Sequence, residues 1–200
     1  MVGSQMVAKG LDFEDVTLVG VLGIDSLLFA QGFRAYETVF SLITQVVGRS
    51  GRAKDPGFAI IQTTDPDNPV LNLAAAQDYD AFFEQEIAYR KLGLYPPFCG
   101  LCVVGFSGPK EIEVARAAAR FSALLGRQAA QPPDLPLRVL GPPPGNIEKI
   151  NENYRYKLTI KCRAARRFRD LVRQTLGLYE QEKLPAKATV VVDMHSDGDI

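Results

Sequence analysis

The chain has 200 residues, 46% of them apolar, and a formal net charge of zero. That length holds one domain or two small ones with sizeable cores. No apolar run is as long as a membrane span, the opening "MVGSQMVAKGLDF" lacks the charged-then-apolar pattern of a secretion signal, and three cysteines do not make a disulfide framework, so a reducing cytoplasm is the expected location.

The zero net charge hides a split. Residues 1–98 carry 7 Lys/Arg against 12 Asp/Glu, and residues 99–200 carry 16 against 11. Within 155–173, Arg155, Lys157, Lys161, Arg163, Arg166, Arg167, Arg169 and Arg173 stand against Asp170 alone. A nucleic acid or an acidic partner fits this asymmetry, and so does a basic face that is merely solvated.

In chain order, "VTLVGVLG" (16–23) predicts a buried, parallel strand. "FRAYETVFSLITQVVG" (33–48) spaces Tyr36, Val39, Phe40, Ile43, Val46 and Val47 as an amphipathic helix that stops near Gly48 or Gly51. "GFAIIQT" (57–63) predicts a second buried strand, and "TTDPDNPV" a loop. "DYDAFFEQEIAYRKLG" (78–93) predicts a helix whose acidic start and basic end suit the helix dipole. The paired prolines of "LYPPF" (94–98) mark a boundary.

Beyond it, strand (99–108), helix (111–128), a short strand within 137–145, strand (154–163), helix (164–181) and strand (188–194) follow one another. That β-α-β-β-α-β order is the split βαβ, ferredoxin-like arrangement. In the last helix, Phe168, Leu171, Val172, Leu176 and Tyr179 form an apolar stripe, leaving Arg163, Arg166, Arg169 and Arg173 away from it. In the strand before it, Tyr154, Tyr156, Leu158 and Ile160 point one way and Arg155, Lys157, Thr159 and Lys161 the other.

Two stretches can carry chemistry. In "QVVGRSGR" (45–52), Arg49 and Arg52 offer planar forks of donors suited to phosphate, Gln45 can orient a water or a phosphate oxygen, and Gly48 and Gly51 permit close backbone approach. That set fits stabilisation of a transferring γ-phosphate; a basic helix end with a glycine cap has the same composition. In "GSQMVAKGLDF" (3–13), small hydroxyl residues and backbone amides suit a nucleic-acid backbone, and Asp12 beside Gly10 can accept from a ribose hydroxyl or an arginine; a turn with a loop aspartate reads the same way. Cys99 and Cys102 form a lone Cys-x-x-Cys at the start of an apolar run, which favours structural burial over metal or redox chemistry, and no metal site is expected. His195, near a polar terminus, is expected to be exposed rather than catalytic. No G-x-S-x-G, metal-ligating histidine set or paired carboxylate system supports acid–base or nucleophilic catalysis.

Together, the stretch 3–13 resembles motif V of superfamily 2 helicases and the stretch 45–52 resembles their motif VI. More closely, "QMVAKGLDFEDVTLVGVL", "TQVVGRSGRA", "GFAIIQTTDPDNPVL", "YRKLGLYPPF", "VLGPPPGNIEKINENYRYKLTIK" and "VVVDM" resemble the C-terminal part of the bacterial primosomal replication-restart helicases, over nearly the whole chain and in order. The resemblance implies an α/β chain in which residues 1–70 are part of a RecA-like helicase lobe, 71–98 a helical linker, and 99–200 the α+β split βαβ domain.

It further implies that Ser4, Gln5 and Lys9 lie along DNA, that Gly10 and Asp12 lie by the nucleotide, and that Gln45, Arg49 and Arg52 face ATP, with Mg2+, held by the other lobe. Arg155, Lys157, Lys161 and Arg167 are expected on DNA; Arg166 and Arg169 are expected on the acidic tail of single-stranded-DNA-binding protein. Forked or single-stranded DNA and other primosome proteins are the implied partners, with no membrane. The family's P-loop, Asp-Glu box and zinc-binding cysteine cluster have no counterpart here, and the ending "MHSDGDI" departs from the family's proline-containing finish. ATP turnover is therefore expected only from a longer protein that couples it to 3′-to-5′ translocation and replication restart at stalled forks. The rival reading is a non-catalytic module that binds nucleic acid or a protein tail.

Overall fold

A computed structural model describes residues 17–30, 32–48, 58–131, 135–141, 149–150, 152–163, 165–182 and 188–194. The described residues form a mixed α/β architecture in two compact units, Met1–Tyr89 and Arg90–Ile200.

In the first unit, β1 (Leu18–Val21) and β2 (Phe58–Ile61) pair in parallel, with Leu18 opposite Phe58 and Val21 opposite Ile61. A short α1 (Asp25–Leu28) follows β1, and α2 (Ala35–Val47) follows it. The predicted period holds from Val39 onward, while Tyr36 is exposed: α2 buries Val39, Phe40, Ile43 and Val46 and is capped at Gly48, whose N–H bonds the Thr44 carbonyl at 3.0 Å. The strands differ from expectation on one point. Among the described residues one face of the pair is covered, and Leu18, Phe58 and Ile60 are exposed on the other.

Asp25 ties the turn after β1 to the end of β2. Its carboxylate accepts from the Thr63 hydroxyl at 2.5 Å, the Thr64 N–H at 2.8 Å and the Thr64 hydroxyl at 2.7 Å. These bonds, the Thr63 bond foremost, hold its pKa below the ordinary aspartate value.

The stretch 71–98 is structured from its start. Helix α3 (Pro69–Ala75) opens with Asn68 as N-cap, its side-chain oxygen accepting from the Val70 N–H at 3.1 Å, and with proline in the first turn. Helix α4 (Tyr79–Gly93) follows, and Phe82 stacks on Phe40 of α2 with ring centroids 4.1 Å apart. The division between the units falls within α4, between Tyr89 and Arg90.

In the second unit, β3 (Gly100–Gly108), α5 (Glu111–Ala129), β4 (Arg138–Leu140), β5 (Lys149–Ile150), β6 (Asn153–Cys162), α6 (Ala165–Gln181) and β7 (Thr189–Asp193) follow in order. The sheet runs β4-β6-β3-β7, with β5 also paired to β6. All pairings are antiparallel, and β3 is bonded on both sides, to β6 from Gly100↔Cys162 to Gly108↔Tyr154 and to β7 from Val103↔Asp193 to Ser107↔Thr189. Alternation along the strands puts Cys102, Val104, Phe106, Leu158 and Ile160 on one face, where they form a single buried core with α5 and α6. At its centre the fully buried Phe121 meets Phe106 and Tyr179 edge-on, with centroids 5.7 and 5.8 Å away.

Arg120 on α5 grips Glu182, just past α6, through two guanidinium nitrogens; the Nε–Oε2 bond is 2.6 Å and Nη2 donates to Oε1. That hydrogen bonding holds the Glu182 pKa below the ordinary value. A depressed carboxylate contributes stability above its unfolded pKa and loses it as pH falls through the folded one. Glu182→Gln is therefore expected to cost stability near neutrality and to flatten the acid limb below about pH 4.3. Thermal melts recorded from pH 7 downwards check this, and parallel wild-type and variant profiles would refute it.

Candidate nucleic-acid interface

Helix α6 is built for two surroundings. Phe168, Leu171, Val172, Thr175 and Tyr179 are buried at helical spacing, so the opposite side is fixed outward. Leu176, expected in the stripe, is half-buried against the same core, and Thr175 joins the buried side with its hydroxyl donating to the Leu171 carbonyl at 2.9 Å. Arg166, Arg169 and Arg173 recur about once per turn along one exposed stripe, and Arg167, also exposed, lies about 100° round the helix from Arg166. Always charged and planar, these guanidiniums suit phosphate or carboxylate equally.

Strand β6 keeps its expected alternation but not its expected uniform basic face. Arg155 is exposed, Lys157 is half-buried, and Lys161 is buried with only 5% of its surface accessible. The Lys161 ammonium donates to the Gly93 carbonyl at 2.7 Å and sits 3.5 Å from the centre of the Tyr95 ring. Burial pulls its pKa below that of an ordinary lysine, and the charge of Arg138, opposite it on β4, pulls the same way.

The Lys161 junction is tight. A side chain at Gly93 would come within 2.6 Å of the Tyr95 ring, and the chain leaves α4 with Leu94 at φ 51 and the Tyr95 N–H bonded to the Arg90 carbonyl at 2.8 Å. Lys161, expected on DNA, instead anchors the segment that enters β3. Lys161→Met is expected to leave DNA affinity and its salt dependence unchanged, whereas a fall in the salt slope by one phosphate contact would place Lys161 on DNA.

Of the helicase-motif residues, Gln45 is described. It lies exposed on the last turn of α2, with its amide donating to the Ser41 hydroxyl at 3.2 Å. Ser4, Gln5, Lys9, Gly10, Asp12, Arg49 and Arg52 lie outside the described residues, as does His195. Cys99, Cys102 and Cys162 are free and buried. The Cys99 thiol donates to the Leu94 carbonyl at 2.8 Å, and burial raises its pKa. Burial, with the charge of Asp193 adding to it, pushes Cys102 up to about 12. Both thiols are held neutral, which suits packing rather than nucleophilic or metal-binding chemistry. The repeat along α6 places Arg173 beside Arg166 and Arg169 on the exposed stripe, whereas no local signal in the sequence places Arg138 across from Lys161.

The sequence model of the family described as "Primosomal protein N C-terminal domain" matches residues 91–196, and the chain belongs to that family. It is similar to the replication restart protein PriA of Bacillus subtilis (strain 168), 35% identical over 195 residues covering 98% of this chain and 24% of that protein. It is also similar to those of Chlamydia pneumoniae, 43% identical over 162 residues (80% and 21%), and Synechocystis, 37% over 161 residues (80% and 19%). The chain thus spans about a quarter or less of the length of these relatives.

Proposed function

We propose that this chain is the part of an ATP-dependent 3′-5′ DNA helicase that supplies one wall of the nucleotide site and a basic surface for branched DNA during replication restart. Residues 1–70 act as part of a RecA-like lobe, with Gln45, Arg49 and Arg52 toward ATP and Mg2+ held chiefly by the other lobe, Gly10 and Asp12 beside the nucleotide, and Ser4, Gln5 and Lys9 along DNA. The family resemblance supports that part of the reading, and it implies zinc only at a cysteine cluster that this chain does not contain. The order β3-α5-β4-β5-β6-α6-β7 differs from β-α-β-β-α-β by the two-residue β5, and with the sheet order β4-β6-β3-β7 it supports the split βαβ reading of residues 99–200.

The observation that carries the DNA role is the exposed stripe Arg166, Arg169 and Arg173 on a helix whose other side is core. Such a surface reads phosphates, and hence DNA shape rather than sequence. It also suits the carboxylate-rich tail of single-stranded-DNA-binding protein and brings the helicase to other primosome proteins in the cytoplasm. Without a P-loop of its own, the isolated chain acts as a binding module.

The test is ATP turnover by a protein of the relatives' full length carrying these residues, stimulated by forked DNA. Arg166→Ala/Arg167→Ala/Arg169→Ala is expected to raise the DNA concentration for half-maximal stimulation and leave maximal turnover intact. An unchanged DNA requirement removes the role assigned to α6.

A further inference from the structure

The sheet face turned away from α5 and α6 carries a feature that the charge pattern alone does not show. At one end this face is covered, with Leu101, Val103 and Lys161 buried. At the other end it opens along the central strand. There the register sets Gly105 between Lys157 on β6 and Val191 on β7, and Ser107 between Arg155 and Thr189.

Two small residues floor this trough. One wall is cationic; the other is apolar and hydroxylic, with Val191 49% exposed. Neighbouring strands lie ~4.8 Å apart, so the walls stand ~9.6 Å from each other, and Arg155 and Lys157 are ~6.7 Å apart along β6. Among the described strand residues of this face, the carboxylate is Asp193, beside Val103 toward the covered end.

We infer that this trough seats the backbone of a single strand of nucleic acid, with phosphates toward Arg155 and Lys157 and sugars over Gly105 and against Val191. The inference rests on the proposed DNA-binding role of the second unit and adds a site on the side of the sheet opposite α6. A missing side chain at Gly105 lets a backbone lie close to the sheet. The walls admit one strand between them, not a duplex.

No aromatic ring lines the trough among the described residues, so binding here is through charge and independent of sequence. An extended acidic peptide fits less well. Peptides gain affinity by adding to a sheet edge, whereas β3 is central and already bonded to β6 and β7. With α6 on the other side of the sheet, the unit would hold a duplex arm and a single strand of a fork on separate surfaces.

The test is fluorescence anisotropy of the 200-residue chain with a labelled oligothymidylate and, separately, a labelled duplex, over a range of salt. Val191→Glu, at an exposed position, sets a carboxylate across Gly105 from Lys157 and is expected to weaken oligothymidylate binding about tenfold. Arg155→Ala/Lys157→Ala is expected to make the slope of log K against log salt shallower by about 1.4, two contacts at about 0.7 each. Arg166→Ala/Arg167→Ala/Arg169→Ala is expected to weaken the duplex and spare the oligothymidylate. If both trough variants bind oligothymidylate as wild type does while the α6 variant loses it, the trough is overturned and the DNA-binding role stands. If the trough variants instead lose only an oligoglutamate peptide, the face serves an acidic protein segment and the inference fails. If wild type binds neither nucleic acid at low salt, the DNA-binding role itself falls and takes the trough with it.

Discussion

Replacing Arg52 by alanine in a protein of the relatives' full length is expected to lower ATP turnover by about a thousandfold or more while leaving DNA affinity within about twofold, the size of effect seen when a charge-stabilising arginine is removed from a phosphoryl-transfer site. Helix α2 ends at Val47 with Gly48 as its cap, so Arg49-Ser50-Gly51-Arg52 follows directly on a helix end anchored by Val39, Ile43 and Val46. Positioning and charge do nearly all the catalytic work in such transfer. Lysine at position 52 is expected not to rescue, since its point charge cannot reproduce the two-pronged contact of guanidinium with phosphate oxygens. Steady-state turnover and equilibrium DNA binding measured on the same variant separate the outcomes. Normal turnover with lost DNA affinity would move Arg52 from the nucleotide to the nucleic acid.

Phe121→Ala is expected to cost the second unit about 3–5 kcal/mol, the range for deleting a fully buried phenylalanine. The ring has no solvent exposure and touches both Phe106 on β3 and Tyr179 on α6, so its loss opens a cavity where the sheet and both helices meet. At 4–8 °C for each kcal/mol in a domain of this size, the melting temperature falls by about 12 °C or more. Because the chain forms two compact units, calorimetry is expected to show the drop in one transition and little change in the other. A shift below about 4 °C would mean that the Phe121 site collapses without a cavity.

Much of the fold could be read from local periodicity. Helices α2 and α6 and strands β3 and β6 lie within a residue or two of where their apolar patterns put them, because one-sided burial writes a period of 3.6 or 2 into the sequence. Helix α3 begins two residues before the end of the expected loop 63–70 and runs on into the expected helical linker, with Asn68-Pro69 as a helix-start signal in its own right. β5 has two residues, too few to show alternation. The exposed face of β1 and β2 was unreadable because valine and leucine runs look alike whether one face is covered or both.

For the candidate site, alternation grouped Lys157 with Lys161 correctly, yet only tertiary cover distinguishes them. Tyr95 and the Gly93 carbonyl, nearly seventy positions earlier in the chain, close over one and not the other. The placement of Gly105 between Lys157 and Val191 depends on strand register, which no local pattern states.

On the proposed function, the second unit holds branched DNA by its phosphates. The most direct measurement is the affinity of the chain for a forked DNA at a series of salt concentrations. The expected result is a straight fall of log K with log salt, at about −0.9 for each phosphate contacted on duplex, with a total slope that corresponds to several contacts. Binding that is absent, or flat across the salt range while circular dichroism shows a folded chain, would contradict it.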